Sequence, residues 1–207
     1  MEEKLIQILK GAGRVFLTYG IRNVSMDDVC RELGISKKTL YQYVDNKADL
    51  LQKIIENHDN VSKNTGETLA KEGKNAIEIL LIISQRVCLN MKEYNPMILF
   101  ELQKYYPEIF RNYFNNKRQS IAKGIRKNLE FGIREGLYRS DLDIEVISEL
   151  YVQNMQELHS LEALNSGDLS FEKVFTAMFD NHIRGIASQK GLEIYENLKN
   201  NINCKVD

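Results

Sequence analysis

The sequence predicts an all-α protein, and three observations point to that fold class. The 207 residues include only two prolines, Pro96 and Pro107. Tracts in which apolar and polar residues strictly alternate are scarce, whereas Leu, Ile, Glu, Lys and Asn recur at the spacings of amphipathic helices. Charged residues make up 28% and hydrophobic residues 43% of the chain, which is ordinary for a globular protein that buries a substantial core.

The first predicted helix runs from about Glu2 to Tyr19. Gly20 follows it, and a glycine in this place commonly ends a helix in the left-handed conformation. A single apolar stripe at helical spacing marks the helix: Leu5, Ile8, Leu9, Ala12, Val15, Phe16 and Tyr19.

Two short helices follow, and each is preceded by a serine. Ser25 can cap the first of them together with Asp28, three positions inside the helix. That helix ends at Gly34, and Ser36 caps the next one, which reads Lys37-Lys-Thr-Leu-Tyr-Gln-Tyr43. Two short helices joined by a tight glycine turn form the helix-turn-helix arrangement.

The helix after Ser36 has an apolar inner side and a polar first turn. Leu40, and Val44 just beyond the helix, are expected to anchor it on its neighbours. Donors remain for phosphates and bases, together with the amides of the helix itself: Lys37, Lys38, Thr39, Tyr41 and Tyr43. The two lysines could also be solvated surface residues, and Tyr41 could pack its ring in the core.

The charge distribution favours a polyanionic partner only weakly. The whole chain has a net charge of −1, which argues against a protein that coats nucleic acid. From Lys10 to Lys47, however, seven basic residues face four acidic ones, so this segment is +3 and the remainder is −4. A modest basic end on an acidic body is compatible with DNA binding but does not decide it.

A dozen positions between residues 5 and 55 match a known N-terminal signature without a gap: Ala12, Phe16, Gly20, Val29, Gly34-Ile-Ser36, Leu40-Tyr41, Tyr43, Lys47 and Leu50. With these residues the segment resembles TetR-type bacterial transcription regulators. The resemblance implies a homodimer that places two recognition helices in successive major grooves, with a divergent ligand-binding body behind them. We therefore expect a helix-turn-helix DNA-binding domain over residues 1–48 and a helical regulatory and dimerisation domain over residues 49–207.

The same resemblance implies which residues contact DNA. Met26 and Lys37 match positions that can reach base edges, and Met26 stands where some relatives have arginine, so we expect it to make only apolar contact there. Cys30 replaces a frequent alanine and is expected only to pack. Lys47 could instead simply begin the fourth helix. Ser25, Thr39, Tyr41, Tyr43 and Lys47 match phosphate-contacting positions, and Ser36 and Lys38 complete the predicted DNA-binding set.

Beyond residue 55 the pattern predicts further helices. The stretch Asn60–Lys74 is polar and is expected to contain a break, and the tail from Gly191 to Asp207 is expected to fray. A turn over Glu135–Asp143 resembles the family more loosely. Helices are predicted over Ile77–Met91, over Met97–Tyr105, from Pro107 to Ile133, over Asp143–Leu164, and from Phe171 to Ile186 after a Ser170 cap.

The last two long helices and several aromatic residues are candidates for function. The resemblance implies that these helices pair with their own copies in a four-helix interface; burial inside a monomer is the alternative. Candidate pocket residues for an apolar or amphipathic ligand come from helices that surround the cavity in relatives, although such stripes are usually core. They are Phe100, Tyr105, Tyr113, Phe114, Tyr151 and Met155.

Other chemistry is not expected. The three histidines lie far apart, the three cysteines fit neither a disulfide framework nor a zinc site, and no phosphate loop, dinucleotide fingerprint or hydrolase elbow occurs. Asp141, Asp143 and Asp168 read as caps and turns. No cationic leader or membrane span is evident, because the longest apolar run, Ile79–Ile83, is too short.

Taken together, the pattern and the resemblance predict a cytosolic regulator with no cofactor and no metal. We expect a repressor that is released from its double-stranded DNA operator by a small apolar or amphipathic molecule. The alternative is a helical DNA-binding or interaction protein that has no effector.

Overall fold

A computed structural model describes residues 2–62, 65–92, 96–159 and 170–199. These residues form helices and no strands, which confirms the all-α fold class; one isolated bridge joins Tyr138 and Ala187. The helices are α1 Glu2–Tyr19, α2 Met26–Leu33, α3 Lys37–Leu40, α4 Lys47–Ser62, α5 Thr65–Lys71, α6 Ala76–Lys92, α7 Pro96–Tyr105, α8 Pro107–Arg134, α9 Ile144–His159, α10 Phe171–Ile186 and α11 Gln189–Lys199.

The chain divides into two compact units. The N-terminal unit comprises Met1–Lys63 and Tyr94–Lys117, and the C-terminal unit comprises Asn64–Glu93 and Arg118–Asp207. Helix α7 and the first part of α8 therefore belong with the helix-turn-helix. The functional boundary at residue 48 stays a prediction.

The core of the N-terminal unit is largely aliphatic, and α1 contributes five of its buried residues. Helix α1 has the predicted bounds, and Gly20 after it adopts the expected positive φ of 86°. Leu102 of α7 is also buried in this core. Tyr19, predicted to belong to the apolar stripe, is 55% exposed, because it lies in the last turn of α1. The buried residues of α1 are Ile8, Leu9, Ala12, Val15 and Phe16.

Helix α3 is shorter than predicted. It ends at Leu40 rather than Tyr43, because the Gln42 and Tyr43 amides donate to carbonyls three residues back, at Thr39 and Leu40. This tighter turn carries Val44 into the core, where it is 1% exposed, and Leu40 is fully buried, as predicted. Asn46 then caps α4 through the Asp49 amide, with 3.0 Å between donor and acceptor.

The core of the C-terminal unit combines aliphatic residues with several large aromatic side chains. Phe175 and Phe179 of α10 are buried, and their rings stack with centroids 6.1 Å apart. A buried polar chain crosses this core: the Tyr138 hydroxyl donates to Asn128 at 2.9 Å, and the Asn128 amide donates to the Ala76 carbonyl at 2.8 Å. The Tyr138 hydroxyl, the Asn128 side chain and the Ala76 carbonyl thereby have hydrogen-bond partners, as burial requires.

One expectation from polar composition is corrected. The tail after Gly191 does not fray immediately, since α11 continues to Lys199 and buries Tyr195, whose hydroxyl donates to Asp180 at 2.8 Å. Packing thus overrides composition in this part of the tail. The polar stretch between residues 60 and 74 contains α5, which buries Leu69, and the expected break follows α5 at a turn where Gly73 has a φ of 81°.

Other predicted features lie beyond the described residues. They are the continuation of α9 to Leu164, the turn at Asn165–Asp168, and the last eight residues of the tail. Among the helices that the structure describes, none combines the length and apolar character needed to cross a membrane.

Candidate nucleic-acid interface

A complete capping box begins α2. The Ser25 hydroxyl accepts from the Asp28 amide at 3.2 Å, and the Ser25 amide donates to the Asp28 carboxylate at 2.9 Å. The Ser25 hydroxyl also donates to the Asp28 carboxylate at 2.5 Å, and this bond together with that from the Ser25 amide holds the pKa of Asp28 below its usual value. Arg31 pairs with the same carboxylate. The entry into the helix-turn-helix is therefore fixed by local hydrogen bonds.

The turn and the second serine place α3. Gly34 has a φ of 61°, and the Gly34 and Ile35 amides donate hydrogen bonds to carbonyls in the last turn of α2. Ser36 then accepts from the Thr39 amide at 3.0 Å, and the two hydroxyls lie 2.8 Å apart. The orientation of α3 thus follows from a left-handed glycine and an N-cap, as the sequence indicates.

The two lysines at the start of α3 are exposed but differ in their surroundings. The Lys37 ammonium lies 2.7 Å from the Asp27 carboxylate, and this hydrogen bond raises the pKa of Lys37. Lys38 has no ion-pair partner within the described parts of the chain. Base contact by Lys37 would therefore have to replace its pairing with Asp27, a feature that sequence reasoning missed.

Three further predicted contact residues lie around this surface. Tyr41, which caps the end of α3, is 47% exposed, whereas Tyr43 and Met26 are partly buried against the N-terminal core. The Tyr43 carbonyl also accepts from Lys53 of α4 at 2.8 Å. Tyr41 is the aromatic side chain most open to a partner in this group.

Lys47, the predicted phosphate anchor, is half-buried. Its ammonium donates to the Val24 carbonyl at 2.5 Å and lies 5.8 Å from the centre of the Phe16 ring. Burial lowers the pKa of Lys47, while the charges of Glu101 and Asp28 act in the opposite direction. An ammonium has three N–H donors, so the bond to Val24 leaves two for a phosphate.

Glu101 of α7 is a further polar residue of this region that the sequence did not reveal. Its carboxylate accepts from the Ile21 and Arg22 amides, in the loop between α1 and α2, and its side chain is buried. The available signal was weak: a single acid among the apolar residues of α7.

The six predicted pocket residues are divided between the two units. Phe100 and Tyr105 of α7 are exposed, while Tyr151 and Met155 are buried in the C-terminal core. Tyr113 and Phe114 of α8 meet edge to face, with ring centroids 5.3 Å apart. Tyr151 alone among the six lines a described groove, and the assignment of the set to a ligand site stays a prediction.

That groove runs between α9 and α10 of the C-terminal unit and has a volume of about 740 Å³. Leu150 at its edge is 51% exposed, and His182 packs its ring against Tyr151 with centroids 4.6 Å apart. Burial lowers the pKa of His182 to about 4, so its ring is neutral near pH 7. The groove lining is largely apolar: Ile147, Leu150, Val174, Met178 and Ile186 are among its residues.

The residues that the structure describes hold no group of three or more His, Cys, Asp or Glu side chains suited to a metal ion. Cys30 and Cys88 are buried and unbridged. Cys30 packs in the N-terminal core beside Val29, as predicted.

The segment that forms this surface also matches a family model. Residues 8–54 match the model described as bacterial regulatory proteins of the tetR family. The chain thus carries the N-terminal DNA-binding segment of the TetR family. It is a DNA-binding transcriptional regulator, and its curated relatives are transcriptional regulators rather than enzymes.

Two curated relatives and two solved structures illustrate the likeness. The fatty acid metabolism regulator protein of Bacillus subtilis is 23% identical over 193 residues, covering 88% of this chain and 95% of the relative. The transcriptional regulator TtgR of Pseudomonas putida is 24% identical over 161 residues, which cover 70% of this chain and 72% of the relative.

Among solved structures, a transcriptional regulator from Cytophaga hutchinsonii has a TM-score of 0.74 at 18% identity and covers 89% of this chain and 99% of its own. A gamma-butyrolactone receptor described as ArpA-like has a TM-score of 0.60 at 16% identity, covering 97% and 96%. At such identities the structures establish the fold that the chain shares with them.

Proposed function

We propose that this TetR-family regulator is a homodimeric repressor that a small apolar or amphipathic molecule releases from its operator. The observation that supports DNA recognition most directly is the pair α2 and α3, in which two serine caps and Gly34 hold an exposed basic turn outward. Because such a regulator acts on bacterial DNA, we place it in the cytoplasm.

The proposed contacts divide into two kinds, as in other DNA-binding proteins. Lys37 and Met26 address base edges, with Met26 limited to apolar contact because it has no donor. The remaining residues hold the backbone of the DNA and carry no sequence information: Ser25, Ser36, Lys38, Thr39, Tyr41, Tyr43 and Lys47.

Dimerisation is proposed through α9 and α10. The support is the groove between these helices, together with the exposed Val146 and Leu150 on α9, because contiguous apolar surface of this kind marks interfaces. A neutral His182, whose Nε2 has no hydrogen-bond partner among the described residues, adds no charge to such a contact. Two-fold pairing would place recognition helices about one DNA turn apart, ~34–36 Å.

Light scattering of the purified protein tests the dimer. Leu150→Glu should convert it to monomer, because it places a charge in an apolar contact. Leu89→Glu is the matched control, since Leu89 is similarly exposed, at 48%, but lies outside the groove. A wild-type monomer, or dissociation by both variants alike, would contradict the proposed interface.

An effector is proposed for the domain beyond residue 48. One support is that a gamma-butyrolactone receptor has the same fold. The other is that the core of the C-terminal unit contains large aromatic side chains, which suit contact with an apolar ligand. Coupling of about 1–3 kcal/mol between effector and operator would weaken DNA binding some 5- to 150-fold. The candidate pocket residues remain those predicted from the sequence.

A gel shift on DNA from upstream of the protein's own gene tests the proposal. We expect a salt-sensitive complex with one fragment and reduced expression of a reporter placed behind it. The second candidate, a helical DNA-binding or interaction protein without an effector, would give a shift that no apolar compound in a screen relieves. Absence of any shift at low salt would contradict the proposal that the protein binds an operator in this DNA.

A further inference from the structure

The carboxylate of Glu101 lies at the point where the chain leaves α1 for the helix-turn-helix. It accepts from the Ile21 amide at 2.5 Å and from the Arg22 amide at 3.1 Å, across 80 and 79 residues of sequence. Glu101 is 7% exposed and Ile21 is 1% exposed. Two backbone donors that follow the end of a helix are thus satisfied by one side chain of α7.

The approach between Glu101 and this loop is close and requires Gly20. A Cβ on Gly20 would lie 3.2 Å and 3.4 Å from the two carboxylate oxygens, and the residue also has a φ of 86° that other residues rarely adopt. Gly20 therefore both ends α1 and leaves room for the carboxylate.

The same loop is held from two other directions. Downstream, its Val24 carbonyl accepts from Lys47, whose charge interacts with that of Glu101. Beside it, the Arg22 guanidinium lies 5.6 Å from the centre of the Tyr105 ring, one helical turn after Glu101 on α7. Ser25, the N-cap of α2, follows Val24 directly, so the position of this loop sets the start of α2.

We propose that Glu101 is a positioning residue for operator binding: from α7 it fixes the loop between Gly20 and Val24 and thereby the start of α2. It contacts no DNA itself. This inference rests on the proposed function, because it names a residue outside the helix-turn-helix on which the DNA grip depends.

Three substitutions separate hydrogen bonding, reach and charge at this position. Glu101→Ala removes the acceptor, Glu101→Asp shortens the side chain by one CH₂ group, and Glu101→Gln keeps an acceptor oxygen but removes the charge. Glu108→Gln is the matched control, since Glu108 is an exposed acid in the same unit.

Fluorescence anisotropy measures the binding of each full-length variant to two labelled duplexes of equal length. One carries the DNA from upstream of the protein's own gene, and the other has a random sequence. Each variant is assayed at a temperature where circular dichroism matches the wild type. We expect the Kd for the operator to rise about tenfold in the Ala and Asp variants. A tenfold change corresponds to the lower part of the free-energy penalty for a buried amide that loses its hydrogen-bond acceptor. The Gln variant and the control should stay within about twofold.

Amide hydrogen exchange followed by NMR supplies a readout at the loop itself. Exchange at Ile21 and Arg22 should accelerate in the Ala and Asp variants and remain slow in the Gln variant. A folded Ala variant that binds its operator as the wild type does would overturn the proposal. If the Ala variant does not fold, equal binding by the Asp and Gln variants overturns it.

The wild-type measurement distinguishes the two failures. If the wild type binds no upstream fragment, the proposed function fails and the role of Glu101 in operator binding fails with it. If the wild type binds and the folded Glu101 variants bind equally, only the role of Glu101 fails.

Discussion

The two units of this protein specify their helices by different means. In the N-terminal unit, α2 and α3 are 8 and 4 residues long, and Ser25, Gly34 and Ser36 fix where each begins or turns. In the C-terminal unit, longer helices such as α6, with 17 residues, pack around stacked phenylalanines. Local hydrogen bonds define the first arrangement, and packing between distant segments defines the second.

This difference has a functional consequence. A DNA-contacting surface needs fixed donors at fixed spacing, so its geometry is encoded in short polar motifs. A core assembled from distant apolar residues tolerates exchange as long as volume is conserved. The residues of the C-terminal core can therefore diverge while the helix-turn-helix keeps its form.

Removing a central aromatic ring should affect the C-terminal unit most. Phe175→Ala deletes a side chain that is 2% exposed and stacks between Phe171 and Phe179. We expect the free energy of unfolding to fall by about 3–5 kcal/mol, measured by urea denaturation. Leu89→Ala at an exposed site should change it by less than about 0.5 kcal/mol; a similar loss in both variants would refute a core centred on this stack.

Adding one methyl group within α8 should give opposite results at two glycines. In Gly132→Ala the new Cβ would come within 2.1 Å of the Tyr138 ring, and that ring is buried and hydrogen-bonded to Asn128. We expect a loss of about 1–3 kcal/mol from overpacking. Gly124→Ala meets no atom within 4 Å and should stabilise by about 0.5–1 kcal/mol. Thermal unfolding of both variants decides this.

Removing one N-cap from each unit sharpens the comparison further. Ser25→Ala and Ser170→Ala each delete a hydroxyl that accepts from the amide three residues on, at 3.2 Å and 3.3 Å. We expect each to cost about 1 kcal/mol of stability. Only Ser25→Ala should also weaken operator binding in a gel shift, and equal DNA affinity in both variants would contradict a DNA role for α2.

The sequence was most informative where structure is local. The caps at Ser25, Ser36 and Ser170 and the left-handed glycines at positions 20 and 34 could be predicted because each depends on residues within three or four positions. The end of α3 at Leu40 could not, since it follows from the need to bury Val44.

Non-local features escaped sequence reasoning for the same reason. Helix α11 forms because Tyr195 meets Asp180 of α10, and the backbone of Leu137 approaches so closely that only glycine fits at position 191. The partners of Glu101 are about 80 residues distant. Both depend on the assembled fold, which composition and periodicity do not encode.

The most direct test measures the affinity of the Lys37→Ala and Lys47→Ala variants for two duplexes, the operator and a random sequence, over a series of salt concentrations. Lys37→Ala should cost about 1–3 kcal/mol on the operator alone and so relax sequence preference. Lys47→Ala should weaken both duplexes similarly and reduce the salt slope by about 1. Equal losses on both duplexes for both variants would contradict the assignment of base reading to Lys37 and phosphate binding to Lys47.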